Sequence, residues 1–415
     1  MSPAPSGRPA DLIIVNSCCV TGTASAKSRQ ALRRLSGLNP GAKLVLTGCL
    51  AIADSGELDF TENHDIRVVP DKAKLAETVE AILTPAPSVH EQKSSIPTNT
   101  AKIKDKNPPE PCENTPNLQP LKRFSGQCRA FLKVQDGCDA FCSYCIIPKI
   151  RTQVCNKDVK TVISEARHLV LAGHKEIVLS GIFLGAYGQT TARRKHWEME
   201  KRDALADMLE QLTKVEGLMR IRLSSLEPAD VTDRLLEVFA GHPNIMPHLH
   251  LPLQSGSAAI LRKMCRQYTL NDYFEVVEKV KTALDQPAIT TDIIVGFPGE
   301  TDDDFEQTMQ TAEKIGFAKI HVFPFSARKG TPAATMPGKV DSALIKNRAQ
   351  RLQNLDNQLQ ENFRKRFIGH RVGVLVESLR PPRGRCERYF MVDLSSLPEA
   401  SKLKRGDIAS IELKP

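Results

Sequence analysis

Six short apolar segments alternate with helical segments between residues 130 and 326, and this alternation limits the chain to a parallel α/β architecture. The predicted strands are AFLKVQD (130–136), EIVLSG (176–181), RIRLSS (220–225), HLHLPL (248–253), AITTDIIVGF (288–297) and KIHVFPFS (319–326). Strands connected through helices pair in parallel, and no repeat is long enough for a solenoid. The sequence therefore predicts an open parallel sheet or an incomplete (β/α)6 barrel, in which sites lie at the carboxyl ends of the strands.

A smaller α/β unit is predicted before this region. It consists of a strand DLIIVNSC (11–18), a helix ASAKSRQALRRLSGL (24–38) and a strand KLVLTGC (43–49), so both strands end on cysteine. Because the carboxyl ends of parallel strands share one edge of a sheet, Cys18 and Cys49 are expected to lie near each other.

Residues 84–120 contain eight of the 27 prolines and almost no aliphatic periodicity, which predicts a linker or a disordered insertion. Toward the end of the chain, a long polar helix (342–367) precedes three short β-like segments, which predict a small terminal β-barrel. The predicted domains are 1–83, 84–123, 124–366 and 367–415.

The formal net charge is +9, and residues 363–415 carry twelve Lys/Arg against six Asp/Glu. Such a basic tail is a candidate surface for a polyanion, although a solvated basic face without a partner fits the charge equally well. The first ten residues have no apolar region and no run of eighteen apolar residues occurs, which predicts a cytoplasmic protein without a membrane span. The eleven cysteines are then expected to be thiols, metal ligands or nucleophiles rather than disulfides.

The stretch VQDGCDAFCSYCIIP (134–148) places Cys138, Cys142 and Cys145 on one loop directly after the first predicted barrel strand. Four-ligand zinc sites usually combine two cysteine or histidine pairs, and no second pair lies nearby. Three thiolates on one loop suit a cubane iron–sulfur cluster whose fourth iron is open to another ligand. Phe141 and Tyr144 are expected to exclude solvent there. A chance cluster of thiols is the remaining alternative.

This C-x3-C-x2-C loop, after the first strand of a partial β/α barrel, resembles that of the radical S-adenosylmethionine (SAM) enzymes. The resemblance implies a [4Fe-4S] cluster whose open iron binds SAM, and one-electron reduction that yields a 5′-deoxyadenosyl radical. Five further segments together resemble the tRNA methylthiotransferases: LSGIFLGAYG (179–188), RLSSLEP (222–228), HLHLPLQSGS (248–257), TDIIVGFPGET (291–301) and HVFPFSARKGT (321–331).

The SSLEP and HVFPFS variants are most similar to the branch that acts on N6-threonylcarbamoyladenosine at position 37 of tRNA. The resemblance extends from about Asp11 to Arg366, and the terminal β segments fit the family's RNA-binding TRAM domain loosely. It implies that the chain transfers a methylthio group to C2 of that adenosine. The implied partners are a tRNA anticodon stem-loop and an electron donor such as flavodoxin or ferredoxin, with the protein acting as a monomer.

The resemblance also implies cofactor-binding residues. They are Tyr144 in the cysteine loop, Ser180 and Gly181 near the cofactor's amino group, Glu227 at its ribose or ammonium, and Gln254 and Ser255 near its sugar or the substrate. From the residues alone, a strand-ending turn explains Ser180 and Gly181, a helix entry explains Glu227, and an N-cap explains Ser255.

Other polar residues have structural interpretations. Thr301 and Asp304 are predicted to form a capping box, since GFPGETDDD lacks the spacing of a nucleotide-binding loop. His248, His250 and His321 are interpreted as packed or capping histidines. Four cysteines are interpreted as incidental thiols, and Cys155 is assigned no role; the four are Cys112, Cys128, Cys265 and Cys386.

In the family, the first domain carries a second cluster held by three cysteines, of which Cys18 and Cys49 match the second and third. The first is expected in a segment before Asp11, where the ten residues present include no cysteine. The explanations are a start codon assigned too late, a degenerate protein, or recruitment of Cys19; a truncated chain is the favoured one. Two rival functions follow, an RNA-binding protein with a structural metal and a radical enzyme that has lost thiolation.

Overall fold

The computed structural model describes residues 9–19, 22–52, 66–84, 118–122, 124, 126–395, 397 and 402–414. The chain forms two compact units, Met1–Asn117 and Leu118–Pro415. Residues 85–117 of the predicted linker, with Cys112, lie outside the described residues.

The first unit contains a three-stranded parallel sheet in the order β1–β2–β3. Its elements are β1 (Leu12–Ser17), α1 (Gly22–Leu38), β2 (Lys43–Gly48), α2 (Cys49–Ile52), β3 (Ile66–Val69) and α3 (Leu75–Leu83). The predicted β1–α1–β2 unit is confirmed, and Ser17 at the end of β1 lies opposite Gly48 at the end of β2. The sequence did not predict β3, a four-residue strand that pairs with β2.

The second unit contains six parallel strands arranged in sequence order, with helices between them. The first three elements are β4 (Arg129–Lys133) and a short antiparallel pair, β5 (Gln135–Asp136) and β6 (Cys155–Asn156). The other parallel strands are β7 (Glu176–Ser180), β8 (Arg220–Leu223), β9 (His248–His250), β10 (Ala288–Val295) and β11 (Lys319–Pro324). The helices are α4 (Ile147–Ile150), α5 (Val159–Leu171), α6 (Ala204–Leu212), α7 (Asp233–Gly241), α8 (Ala258–Lys263), α9 (Leu270–Ala283), α10 (Asp302–Ile315) and α11 (Ser342–Lys365).

These strands form a partial barrel. One sheet has the order β4–β7–β8 and the other β9–β10–β11. Parallel bridges from Ile221 to Ile245 and from Ser225 to His250 join the two sheets. Among the described residues, β4 and β11 are the two edges and do not pair with each other, so the barrel is open on one side. All six predicted strands are confirmed.

The helices are fixed to the strands by a core of apolar side chains and by local caps. Leu132, Ile177 and Ile293 are fully buried. The predicted capping box begins α10: the hydroxyl of Thr301 accepts from the amide of Asp304 at 3.1 Å, and the carboxylate of Asp304 accepts from the amide of Thr301 at 2.9 Å.

After α11 the chain forms a four-stranded antiparallel sheet. Its strands are β12 (Arg371–Leu379), β13 (Pro382–Cys386), β14 (Met391–Asp393) and β15 (Ile408–Glu412), in the order β14–β13–β12–β15. Within the described residues β14 and β15 are unpaired edges, so a closed terminal barrel is not confirmed. The sequence did not predict β13, because proline, glycine and arginine are poor indicators of a strand.

This sheet packs against the amino ends of the barrel strands. The guanidinium of Arg222 donates to the carbonyl oxygens of Cys386 at 2.7 Å and Glu387 at 3.0 Å. Tyr389 stacks on His248, with ring centroids 4.1 Å apart and planes 7° apart. The terminal sheet is therefore a structural part of the barrel unit. No helix among the described residues is both long and apolar enough to cross a membrane.

Candidate active site

The three clustered cysteines occupy a tight loop after β5, at the carboxyl end of the first barrel strand. Gly137 begins this loop with a φ of +76°, and a Cβ there would lie 1.7 Å from the carbonyl oxygen of Gln153. The amide of Cys138 donates to the carbonyl of Arg151 at 2.9 Å, and the amide of Cys145 donates to the carbonyl of Cys142 at 3.1 Å. These backbone contacts fold the loop so that its thiols share one region.

The thiols lie in poorly hydrated surroundings. Burial raises the pKa of Cys138 to about 12 and that of Cys145 to about 11, and the nearby charge of Cys142 adds to both shifts. Burial also raises the pKa of Cys142. A thiolate in such a place needs a cation beside it. Three thiols on one loop with this property fit the donor set of an iron–sulfur cluster with one iron lacking a protein ligand.

A buried arginine connects this loop to the end of β8. Nη1 of Arg266 donates to Sγ of Cys142 at 3.1 Å and to the hydroxyl of Tyr144 at 3.2 Å. Its Nη2 donates to Oε1 of Glu227 at 2.6 Å. Burial raises the pKa of Tyr144 well above its ordinary range. The predicted site residues Cys142, Tyr144 and Glu227 are thus brought together by a residue that the sequence did not single out.

A second arginine completes the surroundings of Glu227. Nη2 of Arg194 donates to Oε2 of Glu227 at 3.1 Å, and its Nη1 pairs with Asp230 at 2.7 Å. The amide of Glu227 donates to Asp230 at 2.7 Å. Each carboxylate oxygen of Glu227 is thereby held by one guanidinium, which fixes the carboxylate beside the cysteine loop.

Gln135 ties the cysteine loop to the loop after β7. It is fully buried; its Nε2 donates to the carbonyl of Gly137 at 2.7 Å, and its Oε1 accepts from the amide of Phe183 at 2.8 Å. A Cβ on Gly181 would lie 2.9 Å from Oε1 of Gln135, so only glycine fits there. The carbonyl of Ser180 accepts from the amide of Val134 at 2.9 Å. Ser180 and Gly181 therefore lie against the residues that lead into the cysteine loop.

Gln254 and Ser255 lie between β9 and α8. Gln254 has a φ of +63°, and its amide donates to the carbonyl of Asp292 at 2.8 Å. The hydroxyl of the fully buried Ser255 accepts from the amide of Ser257 at 3.1 Å. The N-cap of α8 is Ser257, whose hydroxyl accepts from the amide of Ile260 at 3.3 Å. The N-cap interpretation of Ser255 is therefore wrong.

The structure also shows how Phe141 and three histidines are packed. Phe141 is 65% exposed, so its expected role in excluding solvent is wrong; the guanidinium of Arg193 lies 4.1 Å from its ring. His248 is buried against Tyr389, which confirms it as a packed histidine. All three histidines, His248, His250 and His321, line a cavity inside the barrel.

In the first unit, Cys18 and Cys49 follow the paired ends of β1 and β2. The hydroxyl of Ser17 donates to the carbonyl of Thr47 at 2.6 Å and accepts from the amide of Leu50 at 3.2 Å. Cys18 is exposed, whereas Cys19 and Cys49 are buried. The expected approach of the two strand ends is confirmed by the pairing of Ser17 with Gly48. Cys18 and Cys19 lie just beyond the end of β1 and differ in exposure.

Comparisons with known proteins match both units. Residues 132–312 match the Radical SAM superfamily, and residues 1–69 match the uncharacterized protein family UPF0004. The chain is 35% identical to the threonylcarbamoyladenosine tRNA methylthiotransferase MtaB of Chlamydia pneumoniae, over 89% of this chain and 79% of that protein. It is 36% identical to MtaB of Bacillus subtilis, over 89% of this chain and 77% of that protein.

Relatives named for a different substrate match at a similar level. The tRNA-2-methylthio-N(6)-dimethylallyladenosine synthase of Thermobifida fusca is 33% identical over 99% of this chain and 80% of its own length. Among solved structures, the radical SAM methyltransferase TsrM of Kitasatospora setae superposes with a TM-score of 0.54 at 14% identity, covering 79% of this chain and 67% of TsrM. That likeness shows a shared fold.

Proposed function

Because the chain belongs to the radical SAM tRNA methylthiotransferases, with MtaB among its similar relatives, we propose that it transfers a methylthio group to C2 of N6-threonylcarbamoyladenosine at position 37 of tRNA. The observation that carries the proposal is the contact between the cysteine loop and Arg266, which donates to Cys142 and holds Glu227. The segments 222–228 and 321–331, which resemble the threonylcarbamoyl branch, support the choice of nucleoside.

Cys138, Cys142 and Cys145 would hold a [4Fe-4S] cluster, and Tyr144, Ser180, Gly181, Glu227, Gln254 and Ser255 would surround SAM. When bound, the cluster and two molecules of SAM would supply two things. One is the one-electron chemistry that removes the C2 hydrogen, and the other is the methyl group that is transferred with the sulfur.

The chain's own residues prepare this site. The positive charge of Arg266 offsets negative charge on the Cys142 sulfur, and Arg266 and Arg194 together hold the carboxylate of Glu227 beside the loop. Gln135 fixes the cysteine loop relative to Gly181, so the thiols and the loop after β7 hold a constant separation.

Cys18 and Cys49 are the proposed ligands of an auxiliary cluster, which would take part in supplying sulfur. We also propose a cytoplasmic monomer that receives electrons from a flavodoxin or a ferredoxin. The tRNA anticodon stem-loop would be held through phosphate contacts by the basic C-terminal sheet, so its affinity should fall steeply with salt. Because that sheet supports the barrel through Arg222 and Tyr389, deleting it would not isolate RNA binding.

The test uses protein reconstituted with iron and sulfide under anaerobic conditions, SAM, a reductant and tRNA containing N6-threonylcarbamoyladenosine. Mass spectrometry of the nucleosides should show the 2-methylthio product with the wild type and with a Cys128→Ser control, but not with Cys142→Ala. SAM cleavage without a modified nucleoside in the wild type would contradict the proposal and favour a radical enzyme that has lost thiolation. Zinc without SAM cleavage would favour a structural metal protein.

A further inference from the structure

Side chains from all six parallel strands of the second unit line a cavity of about 370 Å³ inside the barrel, which we call the lumen cavity. One lining residue from each strand is Phe131, Val178, Arg222, His250, Asp292 and His321. Since successive residues on a strand point to opposite faces, the lining positions define the inner face of the barrel. This volume lies in the range of small-molecule pockets, about 300–1,000 Å³.

The walls of the lumen cavity differ in chemistry. On the β4–β7 side, Phe131 and Val178 present apolar surface. On the β9–β11 side, His250, Asp292 and His321 place one ligand atom each within 4.8 Å of one another. Tyr389 from the terminal sheet lines the cavity beside His248. A ligand made of an aromatic base and a polar substituent is complementary to these two walls, with the base on the apolar side and the substituent on the polar side.

Two polar atoms of this cavity lack a partner among the described residues. Oγ of Ser224 and Nδ1 of His248 are buried without a hydrogen bond. Nδ1 of His250 is held by the hydroxyl of Thr290 at 2.9 Å, which leaves its Nε2 facing Asp292 at 3.3 Å. A buried polar atom that is left without a hydrogen bond is destabilising. The cavity is therefore suited to a ligand with several donors and acceptors and is poorly suited to an aliphatic one.

Two residues that line the lumen cavity are close in sequence to Glu227, which contacts the cysteine loop through Arg266. Ser224 and Ser225 line it at the end of β8, and Glu227 two residues later is held by Arg266, which contacts Cys142. Ser225 also bridges to His250 across the junction of the two sheets. A base whose reacting carbon faces the cysteine loop could thus extend its far side into the cavity.

We propose that the lumen cavity binds the N6 substituent of the target adenosine, and that His250, Asp292 and His321 select a hydroxylated, anionic threonylcarbamoyl group over a dimethylallyl group. This inference rests on the proposed function. The imidazole N–H of His321 donates to the carboxylate or the urea carbonyl, and Asp292, held by Nε2 of His250, accepts from a urea N–H or the threonyl hydroxyl. A dimethylallyl group offers no polar partner to Asp292 or His321, and a polar site discriminates strongly against a substrate that lacks the groups it binds.

The test measures kcat/KM of the reconstituted enzyme on two anticodon stem-loops that differ only in carrying the threonylcarbamoyl or the dimethylallyl group. The wild type should prefer the first by about 100-fold or more. His321→Phe and the isosteric Asp292→Asn should each reduce that preference by about tenfold or more, mainly by lowering kcat/KM on the threonylcarbamoyl substrate. The control His168→Phe changes an exposed histidine on α5 and should keep the wild-type preference. Circular dichroism of each variant checks that it folds.

Failure of this inference is separable from failure of the proposed function. A wild type active on the threonylcarbamoyl substrate, with variants that lose activity equally on both substrates or keep the full preference, would overturn the inference alone. A divalent metal outside the clusters that binds in the wild type and is lost in Asp292→Asn would also overturn it, because the three side chains would then be metal ligands. A wild type that thiolates neither substrate would overturn the proposed function and, with it, this reading of the cavity.

Discussion

Nη1 of Arg266 lies 3.1 Å from Sγ of Cys142, although the two residues are 124 positions apart in the chain. The same side chain holds Glu227 and stacks over Tyr268 with its guanidinium carbon 5.0 Å from the ring centroid. Arg266 therefore brings a fixed positive charge to one of the three proposed cluster ligands. A hydrogen bond and a positive charge at a ligating sulfur favour the reduced, more negative state of a cluster.

Replacing Arg266 by Gln should lower the midpoint potential of the barrel cluster, on the order of tens of millivolts, because positive charge beside the sulfur is lost. Potentiometric titration followed by electron paramagnetic resonance measures this potential. Arg266→Lys, which keeps the charge but not the forked geometry, should fall between Gln and the wild type. An exposed arginine on α8, changed in Arg262→Gln, is the control. Equal potentials in Arg266→Gln and the wild type would refute this role.

The positions of Cys18 and Cys49 lead to a separate prediction. The double variant Cys18→Ala/Cys49→Ala should retain about four irons per chain and cleave SAM, since the barrel loop is intact. It should lose transfer of the methylthio group to tRNA, because two proposed ligands of the auxiliary cluster are removed. Iron analysis, 5′-deoxyadenosine formation and nucleoside mass spectrometry measure the three quantities. Full methylthiolation by the double variant would exclude Cys18 and Cys49 from sulfur insertion.

The fully buried carboxylate of Glu176 accepts from Nε of Arg222 at 2.9 Å, beneath the terminal sheet. Glu176→Ala should reduce the free energy of unfolding by about 3–5 kcal/mol, because it leaves the Arg222 charge buried without its partner. Urea denaturation measures the change. Replacing both residues, in Glu176→Leu/Arg222→Met, should cost less, and the exposed Glu278→Ala on α9 should change stability by no more than about 0.5 kcal/mol. A loss below about 1 kcal/mol for Glu176→Ala would mean that the pair does not support the junction.

The burial of His248 leads to a prediction of how the free energy of unfolding depends on pH. Burial lowers its pKa well below the ordinary value, and the neighbouring charge of Arg222 adds to this shift. The unfolded chain therefore binds a proton near pH 6.5 that the folded chain does not bind, so stability falls as the pH drops below about 6.5, by up to about 1.4 kcal/mol per pH unit. Urea midpoints between about pH 8 and 5.5 measure this slope.

In His248→Phe, which preserves an aromatic ring against Tyr389, the dependence should be weaker than in the wild type. His168→Phe should keep the wild-type slope because that histidine is exposed. An unchanged slope in His248→Phe would assign the acid sensitivity to other groups.

The local pattern of residues in the sequence was sufficient to predict the barrel strands and the cysteine loop. Each barrel strand contains apolar residues that face the helices, and Cys138, Cys142 and Cys145 are neighbours in sequence. Local pattern failed where a partner distant in sequence determines the structure. β13 is a strand because β12 and β14 pair with it, although its own residues do not favour one.

The same limit applies to the site. Arg266 resembles any arginine after a helix until the fold places it beside Cys142, and Gln135 acts only once two loops meet around it. The lumen cavity combines residues from six strands, so no single segment of the sequence predicts it.

The most direct test of the proposed function is the nucleoside content of tRNA in a bacterial strain that lacks its own threonylcarbamoyladenosine methylthiotransferase and makes this chain instead. We expect 2-methylthio-N6-threonylcarbamoyladenosine to appear with the wild type and to be absent with the Cys138→Ala/Cys142→Ala/Cys145→Ala variant. The proposed function is wrong if the wild type, made at a level at which a known relative restores the nucleoside, leaves tRNA unmodified, or if the triple variant modifies it.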